Sequence, residues 1–175
     1  ASDVYKRQHL DNLFSTTAEV TGENASPDIS GLIGQYAHGN EPSHHTIYLY
    51  TLLGQNAKAA DRITQVLDDF YTVNPDGLAG NEDAGQMSAW YVLSSLGFYQ
   101  VEPAGGRYWF GTPSFESASI DVPGGVFTIK TEGLSPENRY IKGVTLNGQE
   151  YDKMYIDHSD LMKGGELVFK MGSAD

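Results

Sequence analysis

The spacing of apolar residues changes once along this chain, near Pro103, and this change restricts the possible folds more than any other feature of the sequence. Before it, apolar residues recur with the period of an amphipathic helix, most clearly over residues 60–71. After it, apolar and polar residues alternate with the period of a strand, as in residues 140–146. The sequence therefore predicts an α+β chain, with helices over residues 9–102 and an antiparallel β module over residues 103–175.

Three helices are predicted in the first part. Residues 44–53 and 57–71 form a helical hairpin, in which Gly54 ends the first helix and Asn56 caps the second. Residues 87–96 are apolar on nearly every side. Such a helix is typical of the interior of a larger helical assembly, so the third helix indicates that these helices are part of one.

Dipeptides that favour tight turns divide the β module. Gly-Gly at 124–125, Asn-Gly at 147–148 and Gly-Gly at 164–165 each lie between strand-like runs. These residues supply the positive φ angles that two-residue hairpins require. The sequence therefore predicts three hairpin turns in an antiparallel sheet.

Charge and composition exclude several classes of protein. The chain has 23 acidic and 11 basic side chains, and this net charge of -12 disfavours nucleic acid and anionic membrane surfaces as partners. No apolar run approaches the roughly 20 residues of a membrane span. The absence of cysteine excludes a disulfide scaffold, a thiolate zinc site and a cysteine nucleophile.

The first eight residues have an unusual sequence. Residues 3–8 back-translate to GATGTGTATAAGAGACAG, which resembles the transposon mosaic end that is used as a sequencing adapter. We interpret residues 1–8 as a translated adapter, which should be left out of any argument about the fold. The native sequence is then expected to begin near His9.

A first polar cluster, residues 38–45, precedes the first predicted helix. Its oxygen-bearing side chains, Asn40 and Glu41, favour a hard cation such as calcium. The alternative is that Glu41 caps the helix. His44 and His45 would point about 100° apart on a helix, so they do not readily share one metal.

A second polar cluster, residues 76–86, leads directly into the apolar third helix. Asp83 lies at the entrance of that helix, where a carboxylate can act as a simple cap. A carboxylate at the mouth of a buried helix can also line a cavity and act as a general acid or base. Both interpretations of Asp83 stay open at this level.

Several long motifs together resemble glycoside hydrolase family 92, and the resemblance runs from about residue 10 to residue 172. The motifs are GLIGQYAHGNEPSHH (31–45), PDGL (75–78), GNEDAGQMSAWYV (80–92), LGFY (96–99), GTPSF (111–115) and GGEL (164–167). The resemblance implies a calcium-dependent, inverting exo-α-mannosidase that acts on mannose-containing glycans. It also implies that the chain is the last helices of an (α/α)6 barrel and a closing β module, that the N-terminal portion of the protein is missing, and that the protein is periplasmic or extracellular.

The resemblance also assigns roles to individual residues. Asp83 matches the general base, and Asn81 stands where related sequences often carry a second acid. Asn40 and Glu41 match the loop near calcium, whereas substrate-binding roles fall to His44, His45 and Glu82. The family's general acid lies in a Glu-Gly-Asn-x-x-Gln-Tyr motif, and residues 9–30 contain no such motif. We therefore expect the base side of the site without the acid, and negligible turnover by this chain alone.

Two other functions remain possible at this level. One is a carbohydrate- or calcium-binding module without catalysis, and the other is a helical interaction domain. Trp90, Tyr36 and Tyr48 offer either faces for stacking on sugars or core packing. If the helical assembly is incomplete, Trp90 and Leu93 are expected to be exposed and to promote aggregation.

Overall fold

The computed structural model describes residues 2–19 and 29–174, in which the longer helices precede the longer strands. The helices are α1 (Ser2–Ser15), α2 (Leu49–Leu52), α3 (Asn56–Phe70), α4 (Gln86–Ser95) and α5 (His158–Leu161), with 3₁₀ turns at Glu41–Ser43 and Thr46–Tyr48. The strands are β1 (Leu32–Ile33), β2 (Tyr36–Ala37), β3 (Phe98–Gln100), β4 (Arg107–Phe110), β5 (Ser117–Val122), β6 (Gly125–Glu132), β7 (Tyr140–Leu146), β8 (Gln149–Glu150), β9 (Tyr155–Asp157) and β10 (Gly165–Gly172). Within the described residues, every helix is too short or too polar to cross a membrane.

Helix α3 confirms the amphipathic pattern in the sequence. Ala60 and Ile63 are buried, whereas Asp61 is exposed. The preceding segment ends at Gly54, which has a φ of 72°. The predicted cap is wrong, because Asn56 is the first residue of the helix and Gln55 precedes it without a side-chain capping bond.

A continuous helix over residues 44–53 is also wrong. This segment contains a 3₁₀ turn, Thr46–Tyr48, followed by the single turn of α2. Two consecutive residues, Thr46 and Ile47, are β-branched and lose side-chain freedom in a helix. Ile47 is fully buried, so the packing of its side chain favours the tighter turn over a regular helix.

Helix α4 lies within one residue of its predicted bounds. The prediction that Trp90 and Leu93 are its exposed residues is wrong. Trp90 is fully buried and Leu93 is half-buried, whereas Tyr91 and Val92 are 39% and 53% exposed. Because α4 is apolar all round, its sequence could not show which face is buried. Trp90, Tyr36 and Tyr48 are each at most 1% exposed, so all three are core residues rather than stacking platforms.

The helical part has its own hydrophobic core. Phe14 of α1, Tyr50 of α2, Ile63 of α3 and Trp90 of α4 belong to one buried cluster. These helices pack around that cluster and do not by themselves close a ring, so the partial (α/α)6 barrel stays a prediction. The interpretation of residues 1–8 as an adapter also stays a prediction, since a sequence of any origin can extend a helix such as α1.

The β part contains a five-stranded sheet in the order β5-β6-β10-β7-β8 and a three-stranded sheet in the order β3-β4-β9. Most pairs are antiparallel as predicted, but β6 and β10 are parallel, from Gly165 opposite Phe127 to Lys170 opposite Glu132. The reason is that β10 enters the sheet between β6 and β7 after the one-turn helix α5, rather than through a hairpin.

Two of the three predicted turns occur as hairpins, but in one of them the turn residues are Pro123 and Gly124, and Gly125 already begins β6. Asn147 and Gly148, with φ angles of 52° and 77°, join β7 to β8, and a tight turn with Val122 opposite Gly125 joins β5 to β6. The Gly-Gly pair at 164–165 is not a hairpin, because it follows α5 and begins β10.

The two parts pack directly on each other. In β3, Tyr99 belongs to the helical core and Phe98 belongs to the core of the β part. Gly111 lies so close to α3 that a Cβ atom there would collide with Cδ1 of Ile63. The β part therefore forms a rigid support on which α3, α4 and the loops between them are held.

Candidate active site

Two loops come together at the amino end of α4. The first loop is residues 38–45 and the second loop is residues 76–86, which are the two polar clusters of the sequence. They touch through glycines, because a Cβ atom on Gly80 would lie 2.7 Å from the carbonyl oxygen of Gly39. A Cβ atom on Gly39 would lie 2.6 Å from Oγ of Ser30. A side chain at Gly80 would therefore push the two loops apart, and a side chain at Gly39 would collide with Ser30.

This contact brings Glu41 of the first loop close enough to Asp83 of the second loop to perturb the Asp83 carboxyl group. The pKa of Asp83 is raised, first by the hydrogen bond with Glu41, then by the negative charge of Glu41 and by slight desolvation. The Asp83 side chain is exposed to solvent. Oε1 of Glu41 is buried and has no hydrogen-bond partner within the described residues, so this pair would favour either a shared proton or a nearby cation.

The backbone turns Asp83 away from the end of α4. Asp83 and Ala84 have φ angles of 45° and 57°, in the left-handed region that residues other than glycine rarely adopt. The capping role falls to Glu82 instead, whose Oε1 accepts a hydrogen bond of 3.1 Å from the backbone N–H of Ser88. The carboxylate of Asp83 is therefore available for chemistry rather than used as a cap.

His44 is buried beneath the first loop, and both of its ring nitrogens are occupied. Its Nε2 donates to the carbonyl oxygen of His38 at 2.9 Å, and its Nδ1 lies 3.0 Å from the side-chain nitrogen of Gln86. Burial is the main cause that lowers the pKa of His44. The indole N–H of Trp90 donates to the His44 carbonyl oxygen at 3.1 Å. His44 therefore supports the loop through its hydrogen bonds, and its ring nitrogens are not free to bind a ligand. The half-buried His45 is better placed to contact a ligand.

A second buried histidine, His38, anchors the start of the first loop. Its Nδ1 is 2.9 Å from the hydroxyl of Tyr36, and its Nε2 is 2.7 Å from the hydroxyl of Tyr71. The Tyr71 hydroxyl donates its hydrogen to the carbonyl oxygen of Met87 at 3.1 Å, so it accepts from Nε2–H of His38. Burial, followed by the neighbouring His44 ring, lowers the pKa of His38 to about 3. His38 is thus held neutral with both nitrogens satisfied.

A depression of about 720 Å³ lies beside the carboxyl pair. Predicted site residues that line it are Glu41, His44 and His45, together with Gln86 and Tyr99. The depression is open, its lining is more apolar than polar, and Asp83 is not among the residues that line it. The side chains of Glu41 and His45 can contact a polar ligand there.

The other predicted site residues lie around this centre. Asn40 is exposed, and its side chain makes no capping bond to the 3₁₀ turn that follows it. Asn81 is exposed at the start of the turn that carries Asp83. The sequence analysis gave no roles to Gln86, Tyr71 and Tyr99. Their polar groups were a usable signal, because a polar side chain that is buried beside a helix needs a hydrogen-bond partner.

The donor set suits a hard cation only in part. The described residues contain no group of three or more His, Cys, Asp or Glu side chains that could hold a metal. Calcium prefers six to eight oxygen ligands, which include carboxylates, amide and backbone carbonyls and water. The unpartnered Oε1 of Glu41 and the side-chain oxygen of Asn40 fit such a set, and further oxygens would have to complete it.

Comparison with known proteins identifies the family. The model of the glycosyl hydrolase family 92 catalytic domain matches residues 5–173. A family 92 α-mannosidase from Bacteroides thetaiotaomicron, solved in complex with mannoimidazole, is 38% identical, with a TM-score of 0.89 over 99% of this chain. A family 92 inverting mannosidase from the same species is 35% identical, with a TM-score of 0.80 over 98% of this chain.

A curated relative points in the same direction. It is described as an uncharacterized secreted glycosidase from Arthroderma benhamiae, and it is 32% identical over 141 residues, or 78% of this chain. The chain spans only 18% of the length of that protein, and 23% and 24% of the two Bacteroides enzymes. Because the family model matches nearly all of its residues, the chain belongs to glycoside hydrolase family 92.

Proposed function

We propose that this chain supplies the general-base side of the active site of a calcium-dependent, inverting exo-α-mannosidase, with Asp83 as the base. The observation that carries the proposal is the left-handed turn that frees Asp83 from capping and brings it against Glu41. Family membership supports the reaction class, since one relative is named an α-mannosidase and another an inverting mannosidase.

The chemistry requires two carboxyl groups on opposite sides of the sugar. The ionised base takes a proton from water while the water oxygen attacks the anomeric carbon, and the bond to the glycosidic oxygen breaks as a carboxylic acid protonates that oxygen. In inverting enzymes the two groups are roughly 6.5–9.5 Å apart, which leaves room for the water. Asp83 is exposed and can reach such a water. We expect the acid to come from a part of the protein outside this sequence.

Asn40 and Glu41 would hold calcium, which when bound supplies a positive charge that orients sugar hydroxyls. Without a bound cation, Glu41 raises the pKa of Asp83. Calcium held by Glu41 would offset the negative charge that contributes to this rise. His45 would contact the leaving-group side. His44 would act through packing, because its ring nitrogens are already engaged.

Two further assignments follow from these positions. Asn81 replaces a possible second acid with an amide, which cannot accept a proton, so Asp83 would act alone. Glu82 would orient the amino end of α4 through its bond to Ser88.

We also propose that the helical part completes an (α/α)6 barrel with the rest of the protein. Export to the periplasm or the exterior is supported by the curated relative that is described as secreted.

The test compares Asp83→Asn with Asp76→Asn in the complete parent protein. Both substitutions remove one acid from the second loop, but Asp76 is exposed at the start of that loop, seven residues before Asp83. We expect Asp83→Asn to lower kcat on α-mannobiose by roughly 10²–10⁴-fold, the usual contribution of a general base. Proton NMR of the first product should show β-mannose, as inversion requires. The 175-residue chain alone should give negligible turnover.

Three results would contradict the proposal. Robust hydrolysis by the 175-residue chain would show that the acid lies within it. Retained activity in Asp83→Asn would remove Asp83 as the base. Calcium and mannose binding by a parent protein that hydrolyses no mannoside would favour the non-catalytic binding module.

A further inference from the structure

We propose that Gln86 is a positioning residue. Through the ring of His44, it fixes the position of the second loop, which carries Asp83, relative to the first loop, which carries Glu41. This inference rests on the proposed function, because the two carboxyl groups matter only if Asp83 is the base. Gln86 is the last residue of the second loop and the first residue of α4, and it is hydrogen-bonded to both loops. Its backbone N–H donates to the carbonyl oxygen of Asp83 at 3.3 Å, and its side-chain nitrogen lies 3.0 Å from Nδ1 of His44.

The directions of these hydrogen bonds follow from the chemistry of the partners. Nε2 of His44 faces the carbonyl oxygen of His38, which can only accept, so Nε2 carries the hydrogen. In a neutral ring, Nδ1 of His44 then carries the lone pair and needs a donor. The side-chain amide of Gln86 supplies that donor, and its second N–H donates to the hydroxyl of Tyr99 at 2.8 Å. Both amide hydrogens of Gln86 are therefore used, and its position is fixed at two points.

His44 connects Gln86 to Glu41, because its ring is bonded to Gln86 and its backbone is bonded to Glu41. The backbone N–H of His44 donates to the carbonyl oxygen of Glu41 at 3.0 Å, which closes the 3₁₀ turn that carries Glu41. A chain of bonds therefore runs from the Asp83 backbone through Gln86 and His44 to the Glu41 backbone. The carboxyl contact itself is exposed on the Asp83 side, so it cannot hold the two loops as firmly as this part-buried chain does.

Glutamate at position 86 would break the chain with little change in shape. Its carboxylate accepts rather than donates, so it would face the lone pair of His44 Nδ1 and repel it. The ring would then have to acquire a hydrogen on Nδ1 or turn away. Glutamine is therefore specified over glutamate at this position by the tautomer of His44, and packing alone would not distinguish the two residues.

The experiment measures the His44 tautomer and the kinetics in the same set of variants. Long-range ¹H–¹⁵N NMR spectra of the 175-residue chain should show Nε2–H and an unprotonated Nδ1 for His44. Gln86→Glu should change this signature, whereas Gln149→Glu, which makes the same chemical change at an exposed position in β8, should not. Gln86→Met, which is neutral and cannot donate, provides a second variant if Gln86→Glu does not fold.

In the complete parent, Gln86→Glu and Gln86→Met should lower kcat by about 10- to 100-fold, with KM changed much less, because a displaced base weakens the chemical step. Nδ1–H on His44 in the unmodified chain would overturn the proposal, and so would kcat values equal to that of Gln149→Glu. Failure of the proposed function is distinguishable, since it would leave Asp83→Asn active. Failure of the positioning role alone would leave Gln86→Glu active in an enzyme that Asp83→Asn inactivates.

Discussion

Mild acid should destabilise this fold, because the buried His38 cannot take up a proton without losing its native environment. The ring lies among Tyr36, Tyr71 and Trp90 and is fully buried. Burial and the neighbouring His44 ring lower the pKa of His38 from 6.5 to about 3. In the unfolded chain the same ring is free to protonate near its ordinary pKa.

The sign and size of the effect follow from this difference. As the pH falls below about 6.5, the unfolded state binds a proton that the native state does not, so the free energy of unfolding decreases by about 1.4 kcal/mol per pH unit until the native pKa is reached. Between pH 7 and pH 5 the loss from His38 is about 2 kcal/mol. The lowered pKa of His44 acts in the same direction. The raised pKa of Asp83 acts in the opposite direction, since its contribution is lost as the pH rises.

Urea unfolding at pH 7 and pH 5 measures this loss, and His38→Gln isolates the histidine. The glutamine side chain can accept a hydrogen bond from Tyr36 and donate one to Tyr71, but it does not titrate in this range. The decrease in stability between the two pH values should be about 2 kcal/mol smaller in His38→Gln than in the unmodified chain. Equal decreases in the two proteins, or NMR titration of the His38 ring between pH 6 and pH 7, would refute the reasoning.

Three further predictions test the loops and the exposed helix face. Gly80→Ala should lower the free energy of unfolding, measured in urea, by about 1–3 kcal/mol more than Gly54→Ala does. Both sites have positive φ, but only a Cβ atom at Gly80 would meet the facing loop. Equal decreases would contradict the close approach of the loops. Glu41→Gln should lower the pKa of Asp83, measured by ¹³C NMR, because the carboxyl group of Glu41 is the main cause of the rise in that pKa. An unchanged pKa would contradict the carboxyl contact. Val92→Ser should reduce self-association in sedimentation experiments, since this residue is 53% exposed on an apolar helix, and unchanged association would exclude this face as the cause.

Much of the local structure could be predicted from the sequence, because it depends on neighbouring residues. The helical period located α3, the apolar run located α4 to within one residue, and Asn147-Gly148 located the hairpin between β7 and β8. Each of these features has a local physical cause, either a buried helix face or a turn that needs positive φ.

Other features could not be predicted because distant parts of the chain decide them. The parallel pairing of β6 with β10 depends on where α5 returns the chain to the sheet, which no local pattern encodes. The burial of Trp90 rather than Tyr91 depends on the rings that pack against α4, because a helix that is apolar on every side does not define its own buried face.

The sequence by itself determined the order in which the longer helices precede most of the strands, the membership in glycoside hydrolase family 92 and the two loops in which polar side chains gather. Only the tertiary structure decided that Glu82 caps α4, that Asp83 turns to meet Glu41, and that Gln86 joins the two loops. The physical reason is that periodicity and turn propensity act over a few neighbouring residues. The contact between Asp83 and Glu41 instead depends on two remote loops approaching at Gly39 and Gly80, and on part-buried hydrogen bonds between these loops.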